Sequence, residues 1–247
     1  MTTTALPVFL VESLPTGVFV LDGPEGRHAA TVRRLRAGEQ LLLTDGSGGL
    51  ARCSVTAVDG SSLRLDVTQT WREPAPSPRV VVVQALVKGD RGELAVELAT
   101  EVGADEIVPW RASRCVARWD DGPRGAKALE RWRSTVRSAA KQARRSWVPS
   151  VTEPVGTAGL SSLIKASAGA LVLDAAASDR LAEVALPSEG DLIVVVGPEG
   201  GITDEELAAM TEAGAHCVRL GNTVLRASTA AAVTLGALGV LTPRWRV

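Results

Sequence analysis

An α/β protein with a mostly parallel sheet, preceded by a small β-barrel domain, is the architecture this sequence predicts, and three observations predict it. From Val80 onward short apolar runs alternate with helical stretches, the pattern of parallel strands covered by crossover helices. Before Trp71 the chain reads instead as closely spaced β segments punctuated by turns, which suits a small barrel. Between the two lies "REPAPSPR", whose three prolines at alternate positions favour a stiff, extended connector over helix or sheet. The expected organisation is therefore a β-barrel domain over residues 1–72, a linker over 73–79 and an α/β domain over 80–247. A chain of 247 residues can bury a core in each.

In the first domain, strands are expected at Pro7–Val11, Gly17–Leu21, Gln40–Thr44, Ala51–Asp59 and Ser62–Trp71, with one short helix near Pro24–Leu35. "TDGSGG" (44–49) falls between two of these strands and reads as a hairpin turn, because Asp-Gly and Gly-Gly supply the positive φ such turns need. In the second, the strands are "VVVVQAL" (80–86), "DEIVPW" (105–110), "GALVLD" (169–174), "DLIVVVG" (191–197) and "HCVRLG" (216–221). Helices are expected over Glu93–Gly103, Gly125–Trp147, Asp179–Leu186, Asp204–Ala213 and Ser228–Leu241.

Composition excludes several classes. A formal charge of −1 rules out a uniformly basic nucleic-acid coat while leaving room for local basic surfaces. Cys53, Cys115 and Cys217 are far apart, without a CxxC pair, and only two histidines accompany them, so neither a disulfide framework nor a metal site is expected. A reducing cytoplasm fits that usage. The first residues lack the basic start and apolar stretch of a signal peptide, and no apolar run reaches membrane-spanning length, so a soluble protein with no membrane partner is expected.

Two loops carry the chemistry. In "IVVVGPEGGITDEEL" (193–207) a buried strand runs into Gly-Pro-Glu-Gly-Gly and a helix follows at once. Ligands of open α/β sheets sit beyond the carboxyl ends of the strands, where loops are free of ladder bonding and helix amides point at the site. Gly197, Gly200 and Gly201 allow backbone to approach a ligand, and Thr203 with Glu206 forms a capping box that accounts for the abrupt helix. Pro198 and Glu199 remain, a rigid residue and a displayed carboxylate that a mere turn does not need. Neither a Walker loop nor a GxGxxG fingerprint is present, and Glu199 would repel phosphate; it suits a ligand bearing hydroxyls, amines or a cationic centre. The second loop, "RLGNTVLRASTAA" (219–231), again leads from a strand through Gly to a helix, with Arg226 just before it and Ser228 or Thr229 as the expected N-cap.

"VVVGPEGGIT" followed by "LGNTVLRASTAA" resembles the SPOUT superfamily of S-adenosylmethionine-dependent RNA methyltransferases, and more specifically the bacterial 16S rRNA uridine-N3 methyltransferase family. "ELATEVGADEIVP" (97–109) and "SAAKQARRSWVPSV" (138–151) match two further landmarks in order, and the N-terminal segment matches that family's PUA-like domain. The resemblance implies a C-terminal domain threaded as a trefoil knot, a homodimer, and 16S rRNA as partner, in the assembled 30S subunit. It also implies a cofactor pocket made by Leu173, by Gly197, Glu199 and Gly200, and by Leu220, Gly221, Leu225, Arg226, Thr229 and Ala230. One departure stands out. The family often has Arg-Thr-Glu-Thr-Ala where this chain has Arg226-Ala227-Ser228-Thr229-Ala230, so no role of that glutamate transfers, and Ser228 is too weak a base to replace it.

The basic segments agree with an RNA partner. Residues 124–147 hold eight basic side chains against one acid, with Trp132, Val136, Ala140, Ala143 and Trp147 at helical spacing, so one face packs while the others carry charge. Such a run is often only a solvated face, but solvated faces normally mix signs. Arg114, Arg137, Lys141, Arg144 and Arg145 are RNA-binding candidates here, joined by Arg27, His28, Arg33, Arg34 and Arg36 of the first domain. Uracil N3 carries a proton at neutral pH, so its methylation needs the proton removed or the anion on O2 and O4 stabilised. A fixed guanidinium does the latter, which makes Arg226 the first catalytic candidate, with Arg145 or Arg114 as possible helpers. Glu199 is the second, as a general base, although it could equally bind cofactor or brace its loop. Two other readings stay open at this point: the same enzyme class with a ribose 2'-hydroxyl or a tRNA base as target, and an RNA-binding assembly factor without catalysis.

Overall fold

The computed structural model describes residues 6–245, which divide into two compact units. The first comprises residues up to Ala75 together with Ala140–Val148, and the second comprises Pro76–Ala139 and Pro149 onward.

The first unit is built on a five-stranded sheet. Its strands are β1 (Val8–Leu10), β2 (Val18–Leu21), β3 (Gln40–Thr44), β4 (Gly49–Asp59) and β5 (Ser62–Arg72), in the order β1-β3-β4-β5-β2. Inward-facing side chains at alternate positions, Leu41 and Leu43, Ala51, Cys53 and Val55, Leu63 and Leu65, meet Phe9 and Leu21 in one core. The turn expected at 44–49 joins the antiparallel β3 and β4. Asp45 Oδ1 accepts from the amides of Ser47 (2.8 Å) and Gly49 (2.9 Å), while Gly46 and Gly48 take φ of 71° and 91°. After β2 the chain forms α1 (Gly23–Arg27) and then one wider π-turn over His28–Val32.

Residues 140–148 complete this unit. The Trp147 ring lies against Gly48, where a Cβ would stand 2.6 Å from the indole, and Trp147 Nε1 donates to the Glu73 carbonyl. Lys141 Nζ meets Glu25 Oε1 at 2.6 Å, so the ends of the two basic segments adjoin.

The second unit is a six-stranded, wholly parallel sheet. Its strands are β6 (Arg79–Ala85), β7 (Glu106–Trp110), β8 (Ser150–Val151), β9 (Gly169–Leu173), β10 (Asp191–Val196) and β11 (His216–Val218), in the order β11-β9-β10-β6-β7-β8. β6 and β10 are apolar at nearly every position because both faces are covered. Val81, Val83, Ile193 and Val195 pack with α4 (Thr157–Ala166) and α5 (Asp204–Glu212) through Leu160, Ile164 and Met210. The opposite face meets α6 (Ala227–Leu241), which packs in turn on α2 (Arg91–Val102). At the N-terminal edge of the strands, Arg244 Nη1 pairs with Asp105 at 2.6 Å, with side chains only 8% and 7% exposed, and also donates to the Pro78 carbonyl. Arg79 there bridges Glu106 and Asp191. That edge is clasped by charge; the opposite edge is left for loops.

Three expectations are corrected. The helix expected over Gly125–Trp147 is α3 (Pro123–Gln142) and stops five residues earlier. Arg145 N donates to Ala140 O and Arg144 N to Lys141 O, a Schellman closure in which Arg144, at φ 56°, takes the left-handed place usually held by glycine. The helix expected over Asp179–Leu186 is a single 3₁₀ turn, Leu181–Glu183, because Arg219 N donates to Asp179 O and Leu181 N to Arg219 O, which holds the segment extended beside the end of β11. Neither Ser228 nor Thr229 caps α6: Arg226 itself holds the N-cap with extended backbone and no side-chain cap bond. α4, outside the expected elements, buries Leu160 and Ile164. Among the described residues no helix is long and apolar enough to cross a membrane.

Candidate functional site

The carboxyl ends of β9, β10 and β11 open onto one cleft of about 630 Å³, within the range of small-molecule sites. β9 ends in Leu173 and Asp174, β10 feeds Gly197-Pro198-Glu199, and β11 leads through Arg219 to Leu220 and Gly221. The cleft is closed by Leu225, Arg226, Ser228 and Ala230 at the start of α6 and by Arg91 at the start of α2. This placement follows from topology. β9 lies between β10 and β11 in the sheet although it precedes both along the chain, so the three successive loops share one rim.

Of the residues expected to hold cofactor, Leu173, Gly197, Glu199, Leu220, Gly221, Leu225, Arg226 and Ala230 line this cleft. Gly200 and Thr229 do not. Gly200 turns toward the loop after β7, where Arg114 Nη1 donates to its carbonyl at 3.3 Å, and the Thr229 hydroxyl bonds back to Arg226 O at 3.3 Å. Sequence reasoning passed over Asp174, which orders its own turn by accepting from Ala176 N at 2.9 Å, and Arg91, Ile202 and Arg219. A carboxylate immediately past a buried strand end was the available signal for Asp174.

The wall of the cleft is braced by Glu206. The capping box is present: Glu206 N donates to Thr203 Oγ1 and Thr203 N to Glu206 Oε2, both at 3.2 Å. The same carboxylate does more than cap. Its Oε1 accepts from Ser113 N (2.8 Å), Ser113 Oγ (3.0 Å) and Thr157 Oγ1 (3.1 Å), tying the glycine loop to the loop after β7 and to the start of α4. Burial opposes the charge, yet these bonds outweigh it and hold the carboxyl below its ordinary value. Cys115 nearby is pushed the other way, its thiol raised chiefly by burial.

The RNA-binding candidates fall in two places. Arg27, Arg33, Arg34, Arg36 and Arg144 are exposed on the first unit, where Lys141 is engaged by Glu25. Arg145 is partly buried and His28 packs edge-on against Phe9 with ring centroids 5.8 Å apart. Arg114 and Arg137 belong to the second unit, with Arg137 paired to Glu130 at 2.9 Å. Arg34 and Arg144 both sit at φ 56°, a conformation that arginine adopts at a cost. Among the described residues no cluster of His, Cys, Asp or Glu could hold a metal ion.

A parallel α/β sheet whose strand ends share one glycine-lined cleft, in a chain that also carries a separate β unit, defines an α/β protein with a small-molecule cleft at the carboxyl ends of its strands. Residues 73–239 match the family described as RNA methyltransferase domain, and residues 21–68 the RNA methyltransferase PUA domain. The chain belongs to that RNA methyltransferase family. Ribosomal RNA small subunit methyltransferase E of Mycobacterium bovis is 55% identical over 244 residues, covering 96% of this chain and 93% of its own. The structure is similar to ribosomal RNA small subunit methyltransferase E from Neisseria gonorrhoeae bound to S-adenosyl methionine, at TM-score 0.82 and 26% identity over 96% of this chain and 98% of that one. A Legionella pneumophila chain solved with the bound cofactor SAM gives 0.83 at 26% identity, over 98% of this chain and 99% of the other.

Proposed function

We propose that this protein uses S-adenosylmethionine to methylate 16S rRNA of the small ribosomal subunit, at N3 of a uridine in the decoding region of the assembled particle. The observation that carries the reading is the shared rim of β9, β10 and β11, which presents Glu199 and Arg226 to one cleft. The cleft suits the cofactor chemically. Asp174 and backbone amides can take ribose hydroxyls, and Leu173, Leu220 and Leu225 can cover an adenine ring. At Gly221 an added Cβ would meet no atom within 4 Å, so the backbone faces open cleft. Arg91 and Arg219 suit a carboxylate, and Glu199 suits a cation.

The bound cofactor supplies an electrophilic methyl group. Arg226, whose backbone holds the N-cap of α6, stabilises negative charge on the uracil oxygens as N3 loses its proton, and Glu199 is the acceptor we assign to that proton. Gly197, Leu220 and Ala230 line the cleft that would hold the donor.

RNA is gripped by the first unit, which ends at Ala75 and includes Ala140–Val148, through Arg27, Arg33, Arg34, Arg36 and Arg144, with release of counterions as the driving force. Support for a homodimer comes from α6, which carries no charged residue over Ala227–Leu241 yet exposes Val233, Val240 and Leu241. Support for a knotted thread comes from the strand order β11-β9-β10-β6. The place of action is the cytoplasm. Labelled S-adenosylmethionine supplied with unmodified small subunits, followed by digestion to nucleosides, should yield 3-methyluridine. A different methylated nucleoside would reject the assignment of N3.

A further inference from the structure

A second cavity of about 350 Å³ lies at the ends of β6 and β7, lined by Leu86, Arg111, Arg118, Trp119, Asp120 and Asp121. It adjoins the methyl-donor cleft. Leu86 faces it while the next residue, Val87, faces the cleft, and Arg114, in the same loop, reaches the glycine loop at Gly200. None of these six lining residues has a part in the cofactor chemistry proposed for the first cleft.

Its lining has a definite chemistry. Trp119 is half-buried and held by Trp132, the two rings meeting edge to face at 4.8 Å between centroids. Two cations and two anions surround it, Arg111 already paired with Asp121 at 2.8 Å. A site with no net charge does not select phosphate, because the two aspartates offset the attraction of the two arginines. It suits a neutral heterocycle that presents acceptors to its arginines, as a uracil carbonyl oxygen does, with N3 left free toward the cofactor cleft. The volume admits a nucleoside, and an aromatic ring with mixed polar partners is how single, unstacked bases are read.

We infer that this second cavity receives the target uracil, with Trp119 as its stacking platform and Arg118 as a donor to its oxygens, so that the base stands at the edge of the cofactor cleft. The inference rests on the proposed function.

The test compares wild type with Trp119→Ala, Trp119→Phe and Arg118→Ala. Each is titrated calorimetrically with S-adenosylmethionine and assayed for labelled methyl transfer to unmodified small subunits. Loss of a base-stacking ring should lower kcat/KM for the subunit about tenfold or more in Trp119→Ala. Trp119→Phe should restore most of it, Arg118→Ala, at an exposed side chain, should lower it severalfold, and cofactor Kd should stay within twofold throughout. Wild-type transfer by Trp119→Ala would overturn the inference. So would a loss of cofactor affinity in the same proportion as activity, which would make the ring a prop for its loop; in that case unimpaired transfer by Arg118→Ala would also count against it. If wild type binds cofactor but transfers no methyl to RNA, the proposed function itself falls, and the inference with it.

Discussion

Replacing Glu206 by alanine removes the one carboxylate that joins the cofactor loop, the loop after β7 and the start of α4. Two backbone amides, of Ser113 and Thr203, and two hydroxyls lose their acceptor. The hydroxyls can turn to other partners, and Ser113 is an exposed residue, so the burden falls on Thr203 and on the lost capping box. At roughly 1–3 kcal/mol for a donor left without a partner and about 1 for the cap, Glu206→Ala should destabilise by about 2–4 kcal/mol. Glu206→Gln keeps one acceptor oxygen but sets an amide N–H against a donor, and should cost about 1–2 kcal/mol. Because the folded carboxyl sits below its ordinary value of 4.5, its ionised form contributes stability that is fully present above that pH. That contribution is lost as pH falls through the lower folded value, so the gap between wild type and Glu206→Gln should be full at neutral pH and close in acid. Denaturant unfolding across pH reads the gap, and cofactor titration should show weakened binding in parallel. An unfolding midpoint for Glu206→Ala equal to that of wild type would refute the reasoning.

Three further outcomes are expected. Gly26→Ala places a Cβ 2.4 Å from the Leu21 carbonyl oxygen, a backbone atom that cannot swing aside, and should lower stability by about 1–3 kcal/mol in thermal unfolding. Arg226→Ala should lower kcat about a hundredfold, with a much smaller change in cofactor Kd, in single-turnover methyl transfer. Replacing Arg33, Arg34 and Arg36 together by alanine should weaken binding to small-subunit RNA and flatten its salt dependence, the log–log slope falling by roughly 0.7–0.9 for each phosphate that is no longer neutralised.

What the sequence made legible was what short-range chemistry decides. Continuous valine runs identified β6 and β10, and the Thr203-to-Glu206 spacing identified the start of α5. The two loops that meet at the cleft were readable because each carries a glycine just past an apolar strand. What escaped was decided by partners far along the chain. Arg144 closes α3 in a position where glycine would have announced the stop. The segment around Leu181 has helical composition, but backbone bonds to Arg219 claim it first. Glu206 was readable as a cap; that Ser113 and Thr157 also converge on it depends on three separate loops meeting. That the Gly200 carbonyl also accepts from Arg114 depends on the loop after β7 coming alongside, which its own neighbours do not signal.

The grouping of Ala140–Val148 with the N-terminal strands means that no single cut separates this polypeptide into two self-sufficient pieces. A fragment starting at Pro76 would carry Trp147 and Val148 away from Gly48 and Gly46, exposing an indole to water, and would strand Lys141 without its carboxylate. A fragment ending at Ala75 would lack the same nine residues and bare the surface they cover. Dissection of this molecule therefore requires supplying residues 140–148 in trans or grafting them onto the shorter piece.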